Sequence, residues 1–89
     1  MADPVLYGRK GRPLSQREMD GLKELGRILR QARLSLALSQ RQLERRSLVD
    51  QTTISRLENG RLTHLSLEHI ARLVQVLRGQ IDLREPSDR

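Results

Sequence analysis

Gln40-Arg-Gln-Leu-Glu-Arg-Arg-Ser-Leu-Val-Asp-Gln-Thr-Thr-Ile-Ser-Arg-Leu-Glu-Asn59 is the stretch whose reading decides the fold. Ser39-Gln-Arg-Gln42 just overlaps its start and forms a capping box. The serine hydroxyl can accept from an early helix N–H while Gln42 reaches back to the cap. This opens a helix of roughly eight residues with Leu43 facing inward. Leu48-Val49 breaks the pattern, and Asp50 then supplies an N-cap for a second short helix carrying Ile54 and Leu57. Asn59-Gly60 ends it, because glycine accepts the left-handed turn after a helix. Helices of about eight residues are not stable alone. Both must belong to a bundle that holds them at a fixed angle.

The flanking sequence supplies that bundle. Ser15-Gln-Arg-Glu18 is another capping box, and Leu22, Leu25, Leu29, Ala32 and Leu36 recur at three- and four-residue steps. The spacing predicts one helix from about Gln16 to Leu36. On the other side Ser66 caps a fourth helix, whose expected inward face is Leu67, Ile70, Ala71, Val74 and Leu77, with Gly79 as its stop. Gln80-Ile-Asp-Leu-Arg84 alternates polar and apolar side chains and reads as either a strand or a further helical turn. Residues 1–14 hold Pro4, Gly8, Gly11 and Pro13 among Arg9, Lys10 and Arg12, without apolar periodicity. They read as a flexible basic arm. The division is an arm at 1–14, a helical domain at 15–79, and a C-terminal segment at 80–89.

Composition narrows the class. Eighty-nine residues make one domain. Seventeen leucines dominate the apolar content, and Tyr7 is the only aromatic residue. Leucine-rich helices are therefore expected rather than a sheet. Seventeen Lys and Arg face eleven Asp and Glu, for a net charge of +6, and arginine far outnumbers lysine. That balance suits a polyanion, and arginine suits forked contacts to phosphate and base edges. The scarcity of aromatics argues against modules that stack single-stranded bases. Without cysteine there is neither a disulfide framework nor a zinc finger. His64 and His69 have no acidic or sulfur partner at ligand spacing, so they read as exposed histidines rather than metal ligands. No apolar run approaches the ~18 residues of a membrane span, and the N-terminus lacks the apolar stretch of a signal peptide. No Ser/His/Asp arrangement or phosphate-cradling glycine loop is evident, so catalysis and cofactors are not expected. A cytoplasmic location is the default.

Two short helices crossing steeply, the second polar on its outer side, follow the helix-turn-helix design. The second helix presents Gln51, Thr52, Thr53, Ser55 and Arg56, which can donate, accept and offer a methyl group in the major groove. At this point the chain resembles the Cro/CI-type, XRE-like helix-turn-helix family, which includes the lambdoid phage repressors. The motifs are Leu38-Ser-Gln-Arg-Gln-Leu43 and Thr53-Ile-Ser-Arg-Leu-Glu-Asn-Gly60, within a match over about Leu25–Leu77. The resemblance implies an all-α, lambda-repressor-like domain of four to five helices. It places Gln40 against a phosphate, makes Gln51, Thr52 and Arg56 base readers, and pairs Arg33 with Glu58. Three positions depart from the family pattern. Glu44 stands where a small residue packs, and Leu48 and Ala37 stand where turn glycines are usual. An ordinary residue in a left-handed turn costs about 1–2 kcal/mol, so a different turn or crossing angle is expected there. The Ile81-Asp-Leu83 ending also resembles short antitoxin repressors, in which a C-terminal strand pairs across a dimer axis.

The expected function is a DNA-binding transcriptional regulator of bacterial or phage type, nucleoid-associated when bound. It would repress from a near-palindromic operator as a homodimer. Base reading falls to Gln51, Thr52, Thr53 and Arg56. Phosphate or minor-groove contacts fall to Gln40, Arg41, Arg45, Ser55, Asn59 and Arg61, with Arg9, Lys10 and Arg12 in the arm. Leu65, Val76, Ile81 and Leu83 are spare apolar residues for a dimer interface. The rival reading is an antitoxin that binds DNA and also neutralises a toxin protein. An interaction module holding an acidic protein is a third.

Overall fold

The computed structural model describes residues 12–61 and 66–81. Four helices follow one another: α1 (Gln16–Ser35), α2 (Gln40–Ser47), α3 (Gln51–Glu58) and α4 (Leu67–Leu77). Each begins at a side-chain cap read from the sequence. Ser15 and Ser39 form complete capping boxes, with Glu18 and Gln42 reaching back to the cap backbone. Asp50 accepts from the Thr53 N–H at 3.3 Å, and Ser66 accepts from the His69 N–H at 3.1 Å. The first N–H groups of a helix have no partner within it, so these caps set where each helix starts.

One core holds the helices together. Leu29, Ala32, Leu38, Leu43, Val49, Ile54, Leu57, Leu73 and Leu77 are buried, with Leu25, Leu36, Val76 and Ile81 packed against them. α1 packs on α3, and α2 lies against both α3 and α4. The α1 stripe lies where its periodicity places it. The α4 stripe does not. Leu73 and Leu77 are buried, Ile70 and Val74 are half-buried, and Ala71 is exposed. Leu67 is 84% exposed. α4 carries apolar residues at so many positions that two overlapping stripes fit the helical period, and only its packing against α2 and α1 selects between them.

The two turns around α2 keep the left-handed geometry without glycine. Ala37 has φ 57° and Leu48 has φ 63°. The expectation of an altered turn there is corrected: the backbone stays left-handed and the side chains bear its cost. The two residues between α2 and the α3 cap separate cleanly. Leu48 points out, while Val49 is fully buried. Ser47, also buried, donates to the Leu43 carbonyl at 2.7 Å and accepts from the Val49 N–H at 3.1 Å. Its hydroxyl thereby satisfies a backbone donor inside the turn. After α4, Gly79 turns with φ 92°, and Ile81 forms an isolated parallel bridge with Arg78. The rest of the segment expected as strand or helical turn lies outside the described residues.

Candidate nucleic-acid interface

α3 buries Ile54 and Leu57 and turns its opposite side outward. Thr52, Arg56 and Asn59 are exposed at steps of four and three residues, which puts them on one stripe. Gln51, Thr53 and Ser55 are half-buried along its borders. The Asn59 side-chain amide donates to the Ser55 carbonyl at 2.8 Å, so it caps the helix end as well as facing outward. On α2, Arg41 and Arg45 lie one turn apart and both are exposed, and Arg61 is exposed just after Gly60. Among the described residues Arg41, Arg45, Arg56 and Arg61 have no ion-pair partner. Elsewhere on the surface Arg27 pairs with Glu24 and Arg72 with Glu68. The α2–α3 face thus presents cations that the protein itself does not neutralise. Of the arm residues, Arg12 is exposed, and Arg9 and Lys10 lie outside the described residues.

Behind this face sits a buried ion pair. Arg33 Nε donates to Glu58 Oε2 at 2.7 Å and Arg33 Nη2 to Glu58 Oε1 at 2.9 Å, with side chains 9% and 4% exposed. Arg33 Nη1 donates to the Leu38 carbonyl at 2.7 Å. The guanidinium therefore ties the α1–α2 turn to the last residue of α3. Hydrogen bonding to Glu58 raises the Arg33 pKa above its ordinary value, and burial opposes that shift. Gln40 Nε2 donates to the same Glu58 Oε1 at 3.0 Å. The side chain placed against a phosphate by resemblance is therefore already anchored inside the protein. An amide nitrogen carries two hydrogens, so one remains for an outside acceptor.

Sequence reasoning missed two features of this site. One is the Gln40–Glu58 hydrogen bond, which spans eighteen residues and has no local signature. The other is Gly26, buried in α1. A Cβ there would overlap the Leu57 carbonyl oxygen and come within 3.0 Å of the Glu58 carbonyl group. The missing side chain lets the α1 backbone touch the end of α3. A glycine three residues before Leu29, on the inward stripe, was the available signal. Of the spare apolar residues, Val76 and Ile81 are half-buried against the core, while Leu65 and Leu83 lie outside the described residues.

The second of two short capped helices thus offers a polar outer stripe, clamped from behind by α1. A helix-turn-helix family model matches residues 29–83, from the middle of α1 through all of α2, α3 and α4. The chain belongs to the helix-turn-helix family of the Cro/CI, XRE-like type. That makes it a DNA-binding transcription regulator in general terms. No curated protein matches the chain. No helix among the described residues is long and apolar enough to cross a membrane.

Proposed function

We propose that this regulator is a repressor that binds a near-palindromic operator in the cytoplasm as a homodimer, with α3 in the major groove. The supporting observation is the exposed α3 stripe of Thr52, Arg56 and Asn59, bordered by Arg41, Arg45 and Arg61, none of them neutralised by a described carboxylate. Gln51, Thr52, Thr53 and Arg56 read bases, and Gln40, Ser55, Asn59 and the flanking arginines hold the backbone. Residues 1–14 act as a basic arm, and residues 80–89 take part in assembly. One reader covers about half a turn of groove, and two readers about 34 Å apart double the sequence read.

The test is selection of bound duplexes from a random pool, followed by Arg56→Ala on the selected site. The expected loss is about 1–3 kcal/mol on that site and much less on random DNA. Equal losses on both would reduce Arg56 to a phosphate contact. Failure to enrich any sequence would overturn the specific-operator reading.

A further inference from the structure

α1 is much longer than the helix it packs on. Its 20 residues span ~30 Å, whereas the 8 residues of α3 span ~12 Å. Among the described residues, the apolar side chains of α1 that form or border the core begin at Leu25. The apolar stripe begins earlier. Leu22 continues it towards the helix start, and Leu14 and Leu22, both half-buried, line a pocket of about 290 Å³ with Glu18 and Gly21. Gly21 leaves its floor open, since a Cβ there would meet nothing within 4 Å. The pocket falls below the ~300–1,000 Å³ of small-molecule sites, so it suits a side chain rather than a free ligand. Glu18 edges it, with its pKa lowered chiefly by the Ser15 backbone N–H and in smaller part by the charge of Arg12. The chain therefore enters the domain past the acidic edge of the pocket.

We infer that residues 5–7 of the same chain fold back onto this pocket, with the Tyr7 ring between Leu14 and Leu22. Val5-Leu6-Tyr7 is the longest apolar run before Leu14, and Tyr7 is the only aromatic residue in the chain. A tyrosine ring buries its apolar body and keeps its hydroxyl at a wet rim, which fits a pocket open to solvent. The tether is long enough. The chain from Tyr7 to Leu14 can span up to ~25 Å, and Gly8, Gly11 and Pro13 favour the turns that reverse it. Charge agrees with the path. Glu18 gives one carboxylate oxygen to the Ser15 N–H at 2.8 Å, and a returning segment brings Arg9 and Lys10 past the other. Docking turns Gly8-Arg-Lys-Gly-Arg12 from part of a tail into a loop tied at both ends. Its three cations are then held beside the domain.

Tyr7 reports its own environment, because the chain has no Trp, Phe or Cys. All near-ultraviolet dichroism and all intrinsic fluorescence therefore come from this one ring. In the full chain without DNA, the folded protein is expected to show a tyrosine dichroic band that disappears in urea. Acrylamide should quench its fluorescence severalfold less than it quenches the urea-unfolded chain. Two variants locate the contact without touching the core. Leu14→Ala removes one wall, and Gly21→Gln fills the floor with a better helix former. Each should keep its helix content by far-ultraviolet dichroism while quenching rises to the unfolded level. A wild-type Tyr7 as accessible as in urea overturns the inference. So does a protected Tyr7 that neither variant releases, since the ring would then be docked elsewhere. Protection that survives dilution to monomer supports the same chain as the source of the segment. Protection lost on dilution assigns the segment to a second copy and overturns the inference as stated. DNA is absent throughout, so failure here leaves the operator reading in place.

Discussion

Glu58 accepts from Arg33 through two nitrogens and from Gln40 through one, so one carboxylate joins α1, α2 and α3. Removing it leaves a buried guanidinium whose charge has lost its partner. Glu58→Ala is therefore expected to cost about 3 kcal/mol or more, which is a large share of a small domain's stability. A thermal midpoint unchanged by that substitution would show the pair to be dispensable. Arg33 adds no pH dependence near neutrality. Its raised pKa means its contribution is complete below the ordinary arginine value and is lost only above the raised one. Glu18 behaves in the opposite sense. The Ser15 backbone N–H lowers its pKa below the ordinary 4.5. Its contribution is present above 4.5 and is lost as pH falls through the lowered value. Glutamine can replace it as an acceptor, as Gln42 already does at the start of α2. The stability difference between wild type and Glu18→Gln should therefore shrink as acid is added, as followed by thermal melts across pH 3–6. A constant difference would mean that the charged form of Glu18 contributes nothing at the cap.

At the scale of elements, α1 sets the position of α3 through a glycine, and a paired substitution isolates that effect. Gly21 and Gly26 lie in the same helix. A Cβ at Gly21 meets nothing within 4 Å, while one at Gly26 overlaps the Leu57 carbonyl oxygen. Alanine in a helix interior is favoured over glycine by about 1 kcal/mol. Gly21→Ala is therefore expected to stabilise by up to that amount. Gly26→Ala should destabilise by about 1–3 kcal/mol, since α3 must shift to make room. Denaturant midpoints for the two variants that move in the same direction would refute the close approach. The same comparison shows what the sequence carried. Helix starts were legible because Ser15, Ser39, Asp50 and Ser66 cap by short-range chemistry. The α1 stripe was legible because its leucines leave only one face. The α4 stripe was not, because Leu67 and Ala71 fit the period as well as Leu73 does. The left-handed turns at Ala37 and Leu48 ran against local preference, so only the packing on either side of them reveals them. The Gln40–Glu58 bond joins residues on different helices and has no expression along the chain.

For the whole molecule the governing quantity is a net charge of +6. Most of the free energy of a basic protein on DNA comes from counterions released as its cations meet phosphates. That contribution is indifferent to sequence, and the α3 stripe must supply discrimination on top of it. The two are separable by substitution. Arg41 and Arg45 are exposed on α2 and Arg61 lies beyond α3, and none has a described ion-pair partner whose loss would complicate the result. Replacing any one of them by alanine should leave the fold intact. Each loss should weaken binding to the selected operator and to random duplexes alike. Each should also flatten the slope of log K against log salt by about 0.9. Arg56→Ala should instead fall mainly on the selected site. Filter-binding or anisotropy titrations at several salt concentrations distinguish the two patterns. If Arg41→Ala, Arg45→Ala and Arg61→Ala all left the slope unchanged, the phosphates would have to be met elsewhere on the basic surface. The α2–α3 face would then lose its electrostatic argument as the side that approaches DNA.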